Sequence, residues 1–160
     1  MVLSRVEHQR LRWLMARYRN HDDVQRMKAF IQHGAVTTYD HCKSVAYISF
    51  WINRRLGLRA DERALVTGAF LHDFYLYDWH KKDRSRGLHG FTHPKVACEN
   101  ARMRFQIGRK EQKIILSHMW PLTFLSVPVS REALIVCIAD KYCALLETVL
   151  QRRIRVRIAE

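Results

Sequence analysis

The sequence predicts an all-α domain of about six or seven helices. Apolar residues recur at helical spacing along nearly the whole chain. Only six Gly and three Pro interrupt the 160 residues. Strand-like alternation is almost absent, and segments such as TFLSVPVS are short and broken by Pro128.

Each element has its own signal. Residues 3–19 form a first amphipathic helix. Asp22 or Asp23 can cap a second, with Val24, Met27, Phe30 and Ile31 on one face. A long helix runs from about Thr38 to Leu56 and closes on Gly57 as a left-handed cap. Asp61 caps the next, which carries Ala64, Leu65 and Ala69 and runs to about Leu76. Residues 77–92, YDWHKKDRSRGLHGFT, are polar and aperiodic and read as a loop. Pro94 suits the first position of a new helix, because its φ is fixed and its N–H is missing. That helix ends near Gly108, and another runs from about Arg109 to Met119, before Pro121. Ser130 caps a final helix that continues through the 150s. Residues 154–158 alternate apolar and Arg and fit a frayed helix end or a short extended piece equally.

Lys and Arg number 28 against 15 Asp and Glu, a net charge of +13. Such a balance points to polyanionic partners: nucleotides, nucleic acid or anionic lipid. The charge is spread over Arg10, Arg12, Arg17 and Arg19, then Lys81, Lys82, Arg84 and Arg86, then Arg152, Arg153, Arg155 and Arg157, so charge alone fixes no substrate. Zinc-finger, RNA-recognition and Gly-rich phosphate-loop signatures are missing. No apolar run approaches the roughly 18 residues of a membrane span, so no membrane partner is expected. The opening stretch MVLSRVEHQRLRW carries charge where a secretion signal is apolar, and the expectation is a cytoplasmic protein. Cys42, Cys98, Cys137 and Cys143 form no C-x-x-C pair and read as reduced thiols.

The histidines and acids fall on the apolar faces of these helices. His41, Val45, Ile48 and Ile52 recur at helical spacing, which turns His41 inward. Leu65, Ala69 and His72 do the same for His72, and Asp73 follows it directly. Ile114, Ile115 and His118 place a third histidine, and Ala133, Cys137, Asp140 and Ala144 place a carboxylate. His93 stands just before Pro94. A buried lone carboxylate needs a cation, yet the neighbours of Asp140 three and four residues away are Val136, Cys137, Cys143 and Ala144. A metal ion resolves these groups together, since imidazole and carboxylate are its ligands and the ion supplies the missing charge.

The ordered set His41, His72-Asp73, His93, His118 and Asp140 resembles the HD-domain superfamily of metal-dependent phosphohydrolases. The strings DHCKSVA, GAFLHDF, HPKVACENA, ILSHMWP and IADKYCALLE carry the likeness, which covers about residues 35–148. The resemblance implies a compact helical bundle forming one domain over 1–160. It divides into a helical N-terminal extension 1–34, a metal-binding core 35–148 and a basic tail 149–160. It implies that His41, His72, Asp73 and Asp140 hold a first metal, with His72 and Asp73 central to catalysis. His93 and His118 join a bridging Asp73 around a second, with His89 as an alternative to His93. One or two divalent ions are implied: Fe, Mn, Co, Ni or Zn. Many members carry a Lys three positions after the Asp, supporting phosphate binding or proton transfer; Leu76 stands there in this sequence. The 77–92 loop offers substitutes, so His89, Lys81, Lys82, Arg84 and Arg86 are the expected substrate-binding residues.

The expected reaction is hydrolysis of a phosphate ester or anhydride, with a small anionic substrate, preferably a nucleotide. Trp79, Phe91 and Trp120 are available to stack a base. The same ligand set also resembles that of di-iron oxygenases of this superfamily. A basic nucleotide- or RNA-binding module with a structural metal is the non-enzymatic alternative. Nothing in the sequence sets the oligomeric state.

Overall fold

The computed structural model describes residues 2–81 and 87–149. Among these, seven α-helices and one small hairpin form an all-α domain. Helix α1, Arg5–Arg19, starts at Ser4, whose hydroxyl accepts from the Glu7 N–H while the Glu7 carboxylate accepts from the Ser4 N–H. A short helix α2, Asp22–Arg26, passes into a 3₁₀ turn, Met27–Ala29. Strands β1, Ile31–His33, and β2, Val36–Thr37, then pair antiparallel around Gly34. The expected second helix therefore stops short of Phe30. Val24 and Met27 are buried as expected, but Ile31 is 39% exposed. A hairpin of three and two residues is too short to leave a period-2 signature.

Helix α3, Thr38–Arg55, is capped by the Thr37 hydroxyl, and Gly57 follows at φ 60°. Helix α4, Glu62–Leu71, begins at Asp61, whose carboxylate accepts from the N–H groups of Arg63 and Ala64. It is buried at every position from Ala64 to Leu71, the mark of a central helix. It packs against α1, α3, α6 and α7. Its close approach to α6 depends on Gly68, where a Cβ would lie 2.7 Å from Ile114 Cγ2.

The sequence places the end of α4 near Leu76; the helix in fact stops at Leu71. Beyond it the chain turns, with the Phe74 N–H bonding to the Leu71 carbonyl and Leu76 at φ 61°. Hydrophobicity continues through Phe74 and Tyr75 because the turn is itself buried, so pattern alone cannot mark the stop.

Helix α5, His89–Phe105, starts five residues before Pro94, which lies inside it. Its first turn, His89 to Thr92, has no apolar periodicity and so reads as loop in the sequence. Helix α6, Arg109–Ser117, and helix α7, Arg131–Val149, complete the bundle, the Ser130 hydroxyl accepting from the Ala133 N–H. The expectations for residues 154–158, for the tail 149–160 beyond Val149, and for Lys82, Arg84 and Arg86 lie outside the described residues. Among the described residues no helix is long and apolar enough to cross a membrane.

Candidate metal centre

Five helices converge on one buried point. His41 comes from the first turn of α3, His72 and Asp73 from the end of α4, and His93 from α5. His118 follows the end of α6, and Asp140 comes from the middle of α7. All six are buried.

The six form two groups around the Asp73 carboxylate. On one side, His72 Nε2 lies 3.4 Å from both Asp73 Oδ2 and Asp140 Oδ1. His41 Nε2 lies 3.0 Å from Asp140 Oδ1 and 3.9 Å from Asp73 Oδ2. On the other side, His93 Nε2 and His118 Nε2 lie 3.1 and 3.4 Å from Asp73 Oδ1. Asp73 thus presents one oxygen to each group.

The four imidazoles share one orientation. Each places Nδ1 against an acceptor: His72 on the Ala69 carbonyl at 2.8 Å, His93 on His89 at 2.7 Å, and His118 on Ile115 at 2.7 Å. His41 Nδ1 meets Glu147 Oε2 at 2.7 Å. Those acceptors assign the N–H to Nδ1 and leave an Nε2 lone pair aimed inward, the tautomer a metal-ligating histidine needs. Two of these imidazoles also cap helices. His72 and His118 are the C-cap residues of α4 and α6, so two negative helix ends face the same point and favour a cation there.

A divalent ion fits what these residues leave unsatisfied. His72 Nε2 and Asp73 Oδ1 are buried without a hydrogen-bond partner. His93 Nε2 and His118 Nε2 stand 2.9 Å apart, two lone pairs that only a proton or a cation between them can reconcile. Protons take the cation's place in the metal-free protein. Burial works against charge on His41, but the carboxylates of Asp140 and Glu147 outweigh it and hold its pKa at about 10. Burial likewise opposes charge on His72, Asp73 and Asp140. The attraction between them prevails, raising the imidazole well above its usual value and holding both carboxyls well below theirs. Imidazole nitrogen and carboxylate oxygen suit a borderline divalent transition metal.

Sequence reasoning missed three neighbours. Glu147, seven residues beyond Asp140 on α7, orients His41. His33, on the hairpin, stacks edge-on to His41 with ring centroids 5.4 Å apart. Gln32 donates to Asp73 Oδ2 at 2.6 Å. Its own Oε1 is held by the Tyr75 hydroxyl and by Thr38 Oγ1 at 3.3 Å. Glu147 shares a helical face with Asp140 and Cys143; Gln32 and His33 had no signal, because only the hairpin brings them in.

A family comparison decides where this arrangement belongs. The HD domain family model matches residues 38–145. The chain belongs to the HD domain family. HD domains are generally metal-dependent hydrolases that bind divalent metals, and the match starts at α3 and closes within α7, spanning all six converging residues. No curated protein and no solved structure matches the chain.

Beside the HD centre lies a cavity of about 540 Å³, lined by Asp73, His93, His118 and Asp140 on the metal side. Trp79, Met119, Pro121 and Leu122 form its apolar wall, with Lys141 at the α7 side. His89 lines it too, stacked 4.4 Å from His93 and 5.0 Å from Trp79 and bonded to the Tyr77 hydroxyl at 2.9 Å. Burial first, and then the neighbouring His93, push the His89 pKa down to about 4. His89 belongs to the wall, while His93 takes the place next to Asp73. Lys81 does not line the cavity: its side chain is 84% exposed and pairs with Asp78. Phe91 is 49% exposed and neither it nor Trp120 reaches the lining, so Trp79 alone of the three aromatics does. Leu76, at the position where the resemblance implied a Lys, packs against the core.

Proposed function

We propose that the protein hydrolyses a phosphate ester or anhydride, with a nucleotide as the preferred substrate class. The observation that carries this is the Asp73 carboxylate turned with one oxygen to His41 and His72 and the other to His93 and His118. His41, His72, Asp73 and Asp140 would hold one ion, and Asp73, His93 and His118 a second. Such ions, when bound, supply a water of near-neutral pKa and polarise a phosphoryl oxygen.

The chain's own residues do the rest. The Nδ1 acceptors lock each imidazole in place, so no reorganisation is needed when substrate arrives. Gln32 holds the rotation of Asp73. The Trp79–His89 stack and the Leu122 wall exclude water on one side. Lys81, Lys82, Arg84 and Arg86 lie in sequence between Trp79 and His89, and we assign them to steering an anionic substrate inward.

The test is hydrolysis of a broad nucleotide and phosphoester panel by protein loaded with Mn²⁺, Fe²⁺ or Co²⁺. Asp73→Ala and His72→Ala are expected to abolish turnover while circular dichroism stays unchanged. No cleavage of any panel member by any loaded form would overturn the reading. A carboxylate with one oxygen turned to each histidine pair would also suit a di-iron oxygenase. Iron as isolated, a mixed-valence EPR signal and substrate-dependent O₂ uptake would favour that chemistry instead. Salt-sensitive nucleic-acid binding that survives Asp73→Ala would favour a binding module.

A further inference from the structure

We propose that Lys141 is the cation that receives the phosphoryl group of the substrate, an inference that rests on the phosphohydrolase reading of the same centre. A phosphate monoester brings up to about two negative charges to a site already walled by Asp73 and Asp140. Oxygens of that group turned toward the cavity need a donor there. Among the described residues lining the cavity, Lys141 is the one lysine, and there is no arginine.

Its placement suits the task. Lys141 directly follows Asp140 on α7, and its Nζ donates to the His118 carbonyl at 2.7 Å and lies 3.7 Å from Asp140 Oδ2. The ammonium is therefore fixed between the residues that end α6 and line α7, at the edge of the metal-ligand cluster. An ammonium has three donors. One goes to His118, one leans toward Asp140, and the third stands beside the Cys137 thiol, a weak acceptor that an incoming anion would displace. Its side chain is 42% exposed, so an incoming anion can reach it. Because existing contacts already order the long side chain, little rotamer freedom remains to be lost on binding. The surrounding wall of Trp79, Met119, Pro121 and Leu122 carries no formal charge. One lysine beside an uncharged wall matches a single phosphoryl group on an apolar or planar body better than a polyphosphate chain.

Inorganic phosphate, the product of such a reaction, is the probe. Mn²⁺-loaded protein is titrated with phosphate by calorimetry, in parallel with Lys141→Met and Lys141→Arg. A charge-assisted hydrogen bond corresponds to a loss of about tenfold or more in phosphate affinity for Lys141→Met, with manganese content unchanged. Lys141→Arg keeps the charge and is expected to restore most of that loss. Wild-type affinity in Lys141→Met, or no phosphate binding by the loaded wild type, would overturn the proposal. Loss of manganese from both variants would also overturn it, making Lys141 only a tether for His118. If loaded wild type cleaves no phosphoester yet binds phosphate in a Lys141-dependent way, the hydrolase reading falls and the anion site stands.

Discussion

Glu147 is buried inside α7 with one oxygen on His41 Nδ1 and the other without a hydrogen-bond partner. Its role is to fix the tautomer and ring orientation of His41. Losing such an outer carboxylate typically weakens metal affinity about 10–100-fold, so Glu147→Gln is expected to do the same with the fold intact, as read by metal titration and circular dichroism. Unchanged affinity would show that His41 is held by packing alone. Gln32 acts similarly on Asp73, and it illustrates why part of the centre was hidden in the sequence. His41, His72, His118 and Asp140 stand on apolar helical stripes and announce themselves as polar groups in the wrong place. Gln32 and His33 sit on a hairpin with no periodicity, and their neighbours are distant in sequence.

At the scale of elements, the helix ends do the positioning. α4 and α6 stop at His72 and His118, whose imidazoles bond back to carbonyls of their own last turns. The close contact between these two helices sets the distance between their ends, and Gly68 permits it. A methyl there would press on Ile114, so Gly68→Ala is expected to destabilise the protein by about 1–3 kcal/mol, visible as a lower Tm. A neutral or raised Tm would mean that α6 can shift without cost. The caps at Asp61 and Ser130 are where the sequence put them, whereas α2 is capped by the His21 side chain and not by Asp22 or Asp23. The start of α5 was not, because its N-cap, Leu88, makes no side-chain hydrogen bond and Pro94 gave a more familiar signal further on. Helix α7 explains why Glu147 escaped notice. It carries apolar residues on its outer face as well, with Ile138 53% and Leu145 58% exposed, so periodicity alone does not say which face turns inward.

For the whole molecule, the centre couples metal, protons and stability. The folded pKa of His41, about 10, lies above its unfolded value near 6.5, so the native metal-free state holds the extra proton. That stabilisation is complete below about pH 6.5 and is lost as pH rises through about 10. Asp73 and Asp140 have the opposite sign: their contribution is present above about pH 3.8 and fades as pH falls below it. Metal-free protein is therefore expected to lose Tm between pH 7 and 10. Metal-loaded protein, whose imidazoles are already deprotonated, is expected to resist that loss. Saturating metal at about 100 times its Kd adds about 2.7 kcal/mol, and chelation reverses it. Identical alkaline profiles with and without metal would contradict the assignment of the cluster. By itself the sequence determined the helical class and the caps at Asp61 and Ser130, and it turned His41, His72, His118 and Asp140 inward, because helical spacing and the avoidance of buried charge are local rules. Tertiary structure alone decided that one carboxylate faces two histidine pairs, that a hairpin glutamine and a distant glutamate orient them, and that Lys141 borders the cavity. Those facts depend on distances between elements, which close packing fixes and no single stretch of chain encodes.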